Sequence, residues 1–275
     1  MSEQRALLER LVAALERIAP PTPPSTDWLG SPGYFRGSAD IRTFAALDAL
    51  PLETLRGVEE QKAAVRSNVE RLARGQAAHD MLLWGARGMG KSALIRSACA
   101  DVQSHNEGKF ALVQVGLDSL SMLPDLLEEL GQQDRAFLVF IDDLGFGVDM
   151  RSEALQMRSL FDGGVAARPG NVRLAVTSNR RAILDRTKAE QDSPLSVRDD
   201  RDDALALADR FGLRLGFHPC DRETYLEIAR AYTEPLGLDF NDEEALAWSI
   251  ERGSLSGRAA WQFAVEIAGR AGKAL

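Results

Sequence analysis

Residues 85–92 have the types and spacing of a loop that binds phosphate groups, and we call them the phosphate loop. Their sequence, Gly-Ala-Arg-Gly-Met-Gly-Lys-Ser, fits the pattern Gly-x-x-x-x-Gly-Lys-Ser/Thr at every fixed position. Glycines let such a loop point its backbone N–H groups at phosphate oxygens. In this pattern Lys91 supplies a positive charge to the β- and γ-phosphates, and the Ser92 hydroxyl is a ligand for Mg²⁺. An apolar run before the motif and a helical pattern after it favour this interpretation over a chance glycine-rich turn.

Two carboxylates, Asp142 and Asp143, come directly after the apolar run of residues 137–141, and we call them the acid pair. A phosphate loop of this type works with an acid at the end of another strand, which holds the Mg²⁺ shell. We expect Asp142 to be that acid and Asp143 to orient or polarise an attacking water. The alternative is a helix N-cap or a turn, where Asp is also favoured. The preceding phosphate loop makes that alternative the weaker one.

Three more polar side chains stand at positions where they can meet a phosphate group. Asn179 follows the apolar run 172–177, Arg210 precedes the run 213–217, and Arg258 begins the last predicted helix. An amide at the first position can contact a γ-phosphate and its attacking water, but Asn is equally typical of a turn. A guanidinium at either of the other positions can stabilise phosphate charge. Each arginine taken singly is more typical of a surface position or an ion pair.

Five short apolar runs separated by helical patterns predict an α/β fold. The predicted strands are residues 81–84, 110–115, 137–141, 172–177 and 213–217. Strands that are apolar on both faces are typical of a parallel sheet with helices on both sides. We therefore predict a three-layer P-loop domain with a five-stranded parallel sheet. After Pro219 the pattern is helical, which predicts a small C-terminal helical lid in which Trp248 and Trp261 pack.

The first 52 residues differ in character from the rest of the chain. Residues 3–18 have the apolar stripe of an amphipathic helix, and a proline cluster at residues 20–24 ends it. Four aromatic residues then predict a segment that docks either on the core of this chain or on another subunit; they are Trp28, Tyr34, Phe35 and Phe44. The predicted domain organisation is an N-terminal arm over residues 1–52, a nucleotide-binding α/β domain over 53–219 and a helical lid over 220–275.

Composition limits the class of protein. The 275 residues carry a formal net charge of −8, and 45% of them are hydrophobic, which is typical of a soluble globular chain. The acidic balance does not indicate nucleic-acid binding. No apolar run approaches the ~20 residues of a membrane span, and the N-terminus lacks the pattern of a signal peptide, so we expect a cytoplasmic protein with no membrane contact. Two cysteines, Cys99 and Cys220, are too few for a disulfide scaffold.

The order of these motifs resembles that of the AAA+ ATPases. The phosphate loop is followed in turn by the acid pair, by Thr-Ser-Asn, by Asp-Arg-Phe and by Ser-Gly-Arg, with a helical appendage at the C-terminal end. A closer resemblance is to a bacterial family of predicted AAA+ ATPases that is catalogued as a domain of unknown function. The residues that carry this closer resemblance are 81–85, 208–213 and 256–263. The resemblance covers residues 50–270.

The resemblance implies that ATP and Mg²⁺ are the cofactors and that the phosphate loop is a Walker A motif. Ser92 and Asp142 would hold the metal. Val58 falls where the family places the segment beside adenine, and Arg258 matches sensor 2, which contacts the nucleotide of its own subunit. The residues implied to bind nucleotide in and directly after the loop are Gly85, Ala86, Arg87, Gly88, Met89, Gly90, Lys91, Ser92 and Ala93.

The catalytic residues implied by the resemblance are Lys91, Asp143, Asn179 and Arg210. Asp143 matches the second Walker B acid and Asn179 matches sensor 1. Arg210 matches the arginine finger, which reaches the ATP of a neighbouring subunit and so implies a homo-oligomer. Most AAA+ Walker B motifs end in Asp-Glu, whereas here the second acid is Asp. The shorter side chain predicts slow hydrolysis, or a switch that mainly binds and releases ATP.

Three functions are open from the sequence. The first is an AAA+ ATPase that hydrolyses ATP to ADP and phosphate and drives or gates the remodelling of an unidentified protein partner. The second is a nucleotide-gated adaptor or loader with weak or no hydrolysis, which the N-terminal arm and the shortened acid motivate. The third, a nucleic-acid remodelling ATPase, depends only on the AAA+ resemblance, because a fold does not name its substrate.

Overall fold

The computed structural model describes residue 5 and residues 26–106, 108–145, 169–179 and 208–274 of the chain. Seven β-strands and six α-helices lie within these ranges. The predicted helix over residues 3–18 falls outside them, apart from Arg5. None of the described helices is long and apolar enough to cross a membrane.

The strands form one sheet that is parallel except at one edge. In chain order they are β1 Gly33–Arg36, β2 Ile41–Phe44, β3 Met81–Gly85, β4 Phe110–Val115, β5 Ala136–Ile141, β6 Val172–Ser178 and β7 Leu213–Phe217. Their order in space is β2-β1-β4-β5-β6-β3-β7. The β1–β2 pair is antiparallel, and the other neighbouring pairs are parallel. The predicted α/β fold with a largely parallel sheet is therefore present.

Among the residues described, the sheet has seven strands, so the prediction of five was wrong. The five predicted strands are β3 to β7, and the two additional strands come from the N-terminal aromatic segment. β1 pairs in parallel with β4, from Gly33 beside Leu112 to Arg36 beside Val115. β1 and β2 have four residues each, which is too short for the alternation of apolar and polar residues in a strand to be recognised in the sequence.

The aromatic segment docks on the core of its own chain. Trp28 and Tyr34 are each 2% exposed, and their ring centroids lie 4.8 Å apart. The buried Arg135 donates from Nη1 to Trp28 O at 2.7 Å, and the Trp28 indole donates to Glu129 Oε1 at 2.8 Å. Residues 26–44 therefore share the sheet and the core of the α/β region.

Helices cover both faces of this sheet. α1 (Glu59–Ala73) and α2 (Lys91–His105) pack on one face, and α3 (Leu123–Gly131) packs on the other. All six residues of β5 are buried because this central strand is covered from both sides. The result is the predicted arrangement of three layers, with a hydrophobic core on each side of the sheet.

Three C-terminal helices form a cluster with a core of its own. They are α4 Arg222–Thr233, α5 Asp242–Glu251 and α6 Gly257–Arg270. Tyr225 and Phe263 are fully buried between them. Each helix begins at a residue whose side chain accepts a backbone N–H of the first turn, and these caps are Asp221, Asn241 and Ser256. The helical C-terminal region predicted after Pro219 is thus present.

Candidate nucleotide-binding site

The carboxyl ends of three neighbouring strands bring the predicted site residues together. In the sheet, β6 lies between β5 and β3. The phosphate loop follows β3, the acid pair follows β5, and Asn179 follows β6. Because parallel strands end at the same edge of a sheet, residues that are far apart in the sequence meet there.

Glycines of the phosphate loop hold backbone conformations that other residues rarely adopt. Gly85 has a φ of 131°, and a Cβ on it would lie 2.0 Å from the carbonyl oxygen of Phe217 in β7. Gly88 and Gly90 have φ values of 76° and 85°. Within the described part of the chain, no side chain caps the first turn of α2, which begins after Gly90. An uncapped helix N-terminus of this kind has unpaired N–H groups that favour an anion.

Lys91 is held by three acceptors at the centre of the site. Only 6% of the residue is exposed. Its Nζ donates to Gly85 O at 2.9 Å, to Ala86 O at 2.8 Å and to Asn179 Oδ1 at 2.9 Å. Burial lowers the pKa of Lys91, and the carboxylates of the acid pair oppose that shift. A bound polyanion would compensate the burial of this charge.

Asp142 lies where a metal-shell acid is expected. Its Oδ1 accepts from Ser92 Oγ at 2.5 Å and from Thr177 Oγ1 at 2.6 Å. The same Thr177 Oγ1 accepts from the backbone N of Asp143 at 2.8 Å, so one hydroxyl joins both acids. A serine hydroxyl and a carboxylate this close provide the hard oxygen donors that Mg²⁺ prefers. The donor set of Ser92 and Asp142 therefore fits this ion.

Asp143 has a backbone conformation that directs it toward the phosphate loop. Its φ of 57° is the only positive value of a non-glycine among the residues described, and such values are uncommon. Asn179 Nδ2 donates to Asp143 Oδ1, and Arg87 Nη2 lies 3.7 Å from Asp143 Oδ2. The Asp143 side chain is 51% exposed, so water can reach it. The arrangement suits a carboxylate that orients a water molecule.

A cleft of about 520 Å³ lies beside these residues. Its walls come from the phosphate loop and the start of α2, from residues 48–58 including Val58, and from α4 and α6 of the C-terminal helices. Arg258 lines the cleft, and its backbone N donates to Gly88 O at 3.1 Å, which ties α6 to the phosphate loop. The volume and the concave shape are typical of a small-molecule site.

The predicted residues differ in their relation to this cleft. Gly85 and Ala86 contact Lys91 through their carbonyl oxygens. The Arg87 side chain is 74% exposed and lies beside Asp143. Arg210 precedes β7 and is not part of the cleft lining. The predicted residues that line the cleft are Val58, Gly88, Met89, Gly90, Lys91, Ser92, Ala93, Asp142, Asp143, Asn179 and Arg258.

Three further residues of the site were missed by the sequence reasoning. Thr177 was assigned to the end of a strand and to the Thr-Ser-Asn motif but was given no role, although it lies two residues before Asn179 at the same sheet edge. Arg96 lines the cleft, and its Nε is buried with no hydrogen-bond partner among the residues described. Arg96 follows Ser92 by four residues, which places both side chains on one face of α2. This spacing could have identified Arg96 as a residue of the site. Trp261, expected to pack in the lid, is 45% exposed and lines the cleft.

Solved structures with a similar fold include three AAA+ ATPases. RuvB, the Holliday junction branch migration motor of Thermotoga maritima, is 17% identical with a TM-score of 0.51, over 82% of this chain and 68% of its own. ORC1 of Aeropyrum pernix, in complex with DNA, is 16% identical with a TM-score of 0.57, and the match covers 79% of this chain and 61% of ORC1. PCH-2 of C. elegans is 17% identical with a TM-score of 0.55, and the match covers 79% of this chain and 64% of PCH-2. At such identity the likeness shows the fold, and this chain has the AAA+ ATPase fold.

A family model described as "Protein of unknown function (DUF815)" matches residues 34–271, and the chain belongs to that family. No curated protein matches the sequence. The match begins in β1, so it includes N-terminal residues that the sequence resemblance left out. Both the AAA+ resemblance and the narrower family resemblance are confirmed.

Proposed function

We propose that this protein binds ATP in the cleft and hydrolyses it to ADP and phosphate with Mg²⁺. The observation that supports the proposal most directly is the network at the strand ends, where Lys91, Ser92, Asn179 and the acid pair meet. These side chains carry the charges and the hydroxyl that a triphosphate and its metal require. The cleft of about 520 Å³ leaves room for a base and a sugar.

Each step of hydrolysis has a residue of this chain beside it. Backbone N–H groups of the phosphate loop and the Lys91 ammonium hold the β- and γ-phosphate oxygens and offset their charge. Asp143 accepts a hydrogen bond from the attacking water, and Asn179 fixes the Asp143 carboxylate. Ser92 and Asp142 would hold Mg²⁺, which would supply positive charge to the phosphate oxygens.

The C-terminal helices act as a lid in this proposal, and the active form is a homo-oligomer. Arg258 on α6 contacts phosphate within its own subunit, and the hydrogen bond from its backbone N to Gly88 O couples the lid to the phosphate loop. Arg210 acts on the ATP of a neighbouring subunit, as the AAA+ resemblance implies. The rate of hydrolysis per subunit should then rise with protein concentration.

A nucleotide-gated adaptor with weak hydrolysis is the second candidate. The observation that favours it is Asp143, which is shorter than a glutamate and is engaged by both Arg87 and Asn179. ATP binding, rather than turnover, would then control the docking of a protein partner. Nucleic-acid remodelling is supported only by the likeness to RuvB and to ORC1 in complex with DNA, and the net charge of −8 does not favour it.

Phosphate release by the full chain tests the first proposal. The wild type should release phosphate from ATP above the level of Lys91→Ala, and Asp143→Asn should bind ATP without turnover. If the wild type binds ATP but releases no phosphate at any protein concentration, the adaptor is favoured. Pull-downs with ATP and with ADP then test the adaptor, which an unchanged set of partners contradicts. If the wild type does not bind ATP, both candidates are wrong.

A further inference from the structure

The phosphate loop carries a second cation that the proposed mechanism does not use. Its two charged residues are Lys91 and Arg87. Lys91 is buried and bonded to three acceptors. Arg87 is 74% exposed, and its Nη2 lies 3.7 Å from Asp143 Oδ2. A guanidinium is thus placed between the loop that would hold ATP and the acid that would hold the attacking water.

The contacts of Asp143 place Arg87 beside the position of the γ-phosphate. The other carboxylate oxygen of Asp143 accepts from Asn179 Nδ2, and Asn179 Oδ1 accepts from Lys91 Nζ at 2.9 Å. The four side chains therefore form a row of contacts from Lys91 to Arg87, and both ends of the row belong to the phosphate loop. A γ-phosphate bound to Lys91 with its attacking water at Asp143 must lie next to this row of side chains.

The charges around Lys91 support the same location. Burial is the largest cause of the lowered pKa of Lys91, and the positive charges of Arg258 and Arg87 lower it further. The acid pair acts in the opposite direction. Three cations and two carboxylates therefore share a small volume. The excess of positive charge suits a group with several negative charges, such as a terminal phosphate.

The contact between Arg87 and Asp143 is one that a phosphate can replace. Their side chains are 74% and 51% exposed, and the distance of 3.7 Å is long for a charge-assisted hydrogen bond. Exposed ion pairs of this kind contribute little to stability. Phosphate oxygens match the forked guanidinium and carry more charge than one carboxylate, so they are the stronger partner.

We propose that Arg87 is a catalytic residue that acts on the ATP of its own subunit; this inference rests on the proposed function. With ATP bound, the Arg87 guanidinium leaves Asp143 and donates to oxygens of the γ-phosphate, which releases Asp143 to hold the attacking water. The water oxygen then forms a bond to Pγ, and the bond from Pγ to the β–γ bridging oxygen breaks with its electron pair on ADP. One water proton passes through Asp143 to solvent. Arg87 transfers no proton and stabilises the moving negative charge.

Steady-state kinetics of three variants test this role. Arg87→Ala should lower kcat by about 100-fold and change KM by less than about threefold. Arg87→Lys should recover part of kcat, because lysine keeps the charge but lacks the fork. The matched control is Arg74→Ala, which removes an exposed arginine paired with Glu70 and should behave as the wild type. A kcat of Arg87→Ala equal to or above that of the wild type overturns the proposal, and a rise would mean that Arg87 restrains Asp143.

A binding measurement separates this inference from the proposed hydrolysis. ADP with aluminium fluoride imitates the transferring phosphoryl group, so the wild type should bind ADP more tightly when aluminium fluoride is present. In Arg87→Ala, the increase in ADP affinity caused by aluminium fluoride should be smaller than in the wild type by about tenfold or more. If the wild type shows the gain, Arg87→Ala loses it and no phosphate is released, the proposed hydrolysis is wrong while the contact of Arg87 with the terminal phosphate is supported. If Arg87→Ala keeps the full gain, or the wild type has none, the role of Arg87 is wrong even where ATP binding supports the proposed function.

Discussion

The cleft has two parts that are built by different interactions. On the phosphate side, Lys91, Asp142 and Thr177 are tied to named partners by hydrogen bonds. The remaining walls come from distant segments. We call their apolar side chains the apolar walls, and these include Leu50, Val58, Ile228, Tyr232 and Trp261. Hydrogen bonds fix direction, whereas apolar packing fixes only shape and area. Substitutions on the phosphate side should therefore change turnover most, and substitutions on the apolar walls should change affinity for the base and sugar.

The largest effect is expected from Asp143→Asn on the phosphate side. The amide oxygen can still accept from Asn179, so the shape of the site should persist while the base for the attacking water is lost. We expect kcat to fall by about 1000-fold with the Kd for ATP little changed, measured by phosphate release and by calorimetry. Asp125→Asn, at an exposed position on α3, is the matched control. A normal kcat in Asp143→Asn would show that the water is oriented by another group.

The next largest effect is expected from Lys91→Ala. The substitution removes the buried ammonium and leaves the carbonyl oxygens of Gly85 and Ala86 without their donor. Loss of charge-assisted hydrogen bonds to phosphate should raise the Kd for ATP by about 100-fold. Lys109→Ala changes an exposed lysine and should bind ATP as the wild type does. Circular dichroism of both variants shows whether the fold is kept, and an unaltered Kd with an intact fold would contradict the assignment of the phosphate side.

The same contrast explains what could be predicted from the sequence. Residues 85–92 form one contiguous motif, and the acid pair and Asn179 each follow a clear apolar strand, so the phosphate side was predictable. Thr177 was missed because its role depends on β5 and β6 being neighbours. The register of β6 beside β5 is a tertiary property that no local pattern of the sequence contains.

The apolar walls were harder to predict, and so were the first two strands. Trp261 was expected to pack in the helical lid, but α6 turns that position toward the cleft. β1 belongs to the sheet through its pairing with β4, which is about 80 residues later in the chain. Short segments of mixed polarity acquire their structure from such distant partners.

A third prediction concerns Trp261 on the apolar walls. The indole is 45% exposed in the cleft and lies three residues after Arg258 on α6. Stacking or packing against a base should be lost in Trp261→Ala, which raises the Kd for ATP by about tenfold. Binding of inorganic tripolyphosphate, which has no base or sugar, should not change. Equal losses for both ligands would mean that Trp261 supports the phosphate side, and the division of the cleft into two parts would then fail. Trp248→Phe serves as a control for tryptophan removal in the same helical cluster.

The smallest effect is expected from pH, and it probes the phosphate side alone. Burial lowers the pKa of Lys91 from the ordinary lysine value of 10.5, so the ammonium loses its proton at a lower pH than an exposed lysine does. Because the charged form binds phosphate, the Kd for ATP should rise by about threefold between about pH 7 and about pH 9.5. In Trp261→Ala the Kd for ATP should be higher at every pH and should rise with pH by the same factor, because the base does not contact Lys91. A Kd for ATP that does not change with pH in the wild type would mean that the acid pair, rather than burial, governs the charge of Lys91. If the pH dependence of Kd differs in shape between the wild type and Trp261→Ala, the two parts of the cleft are coupled.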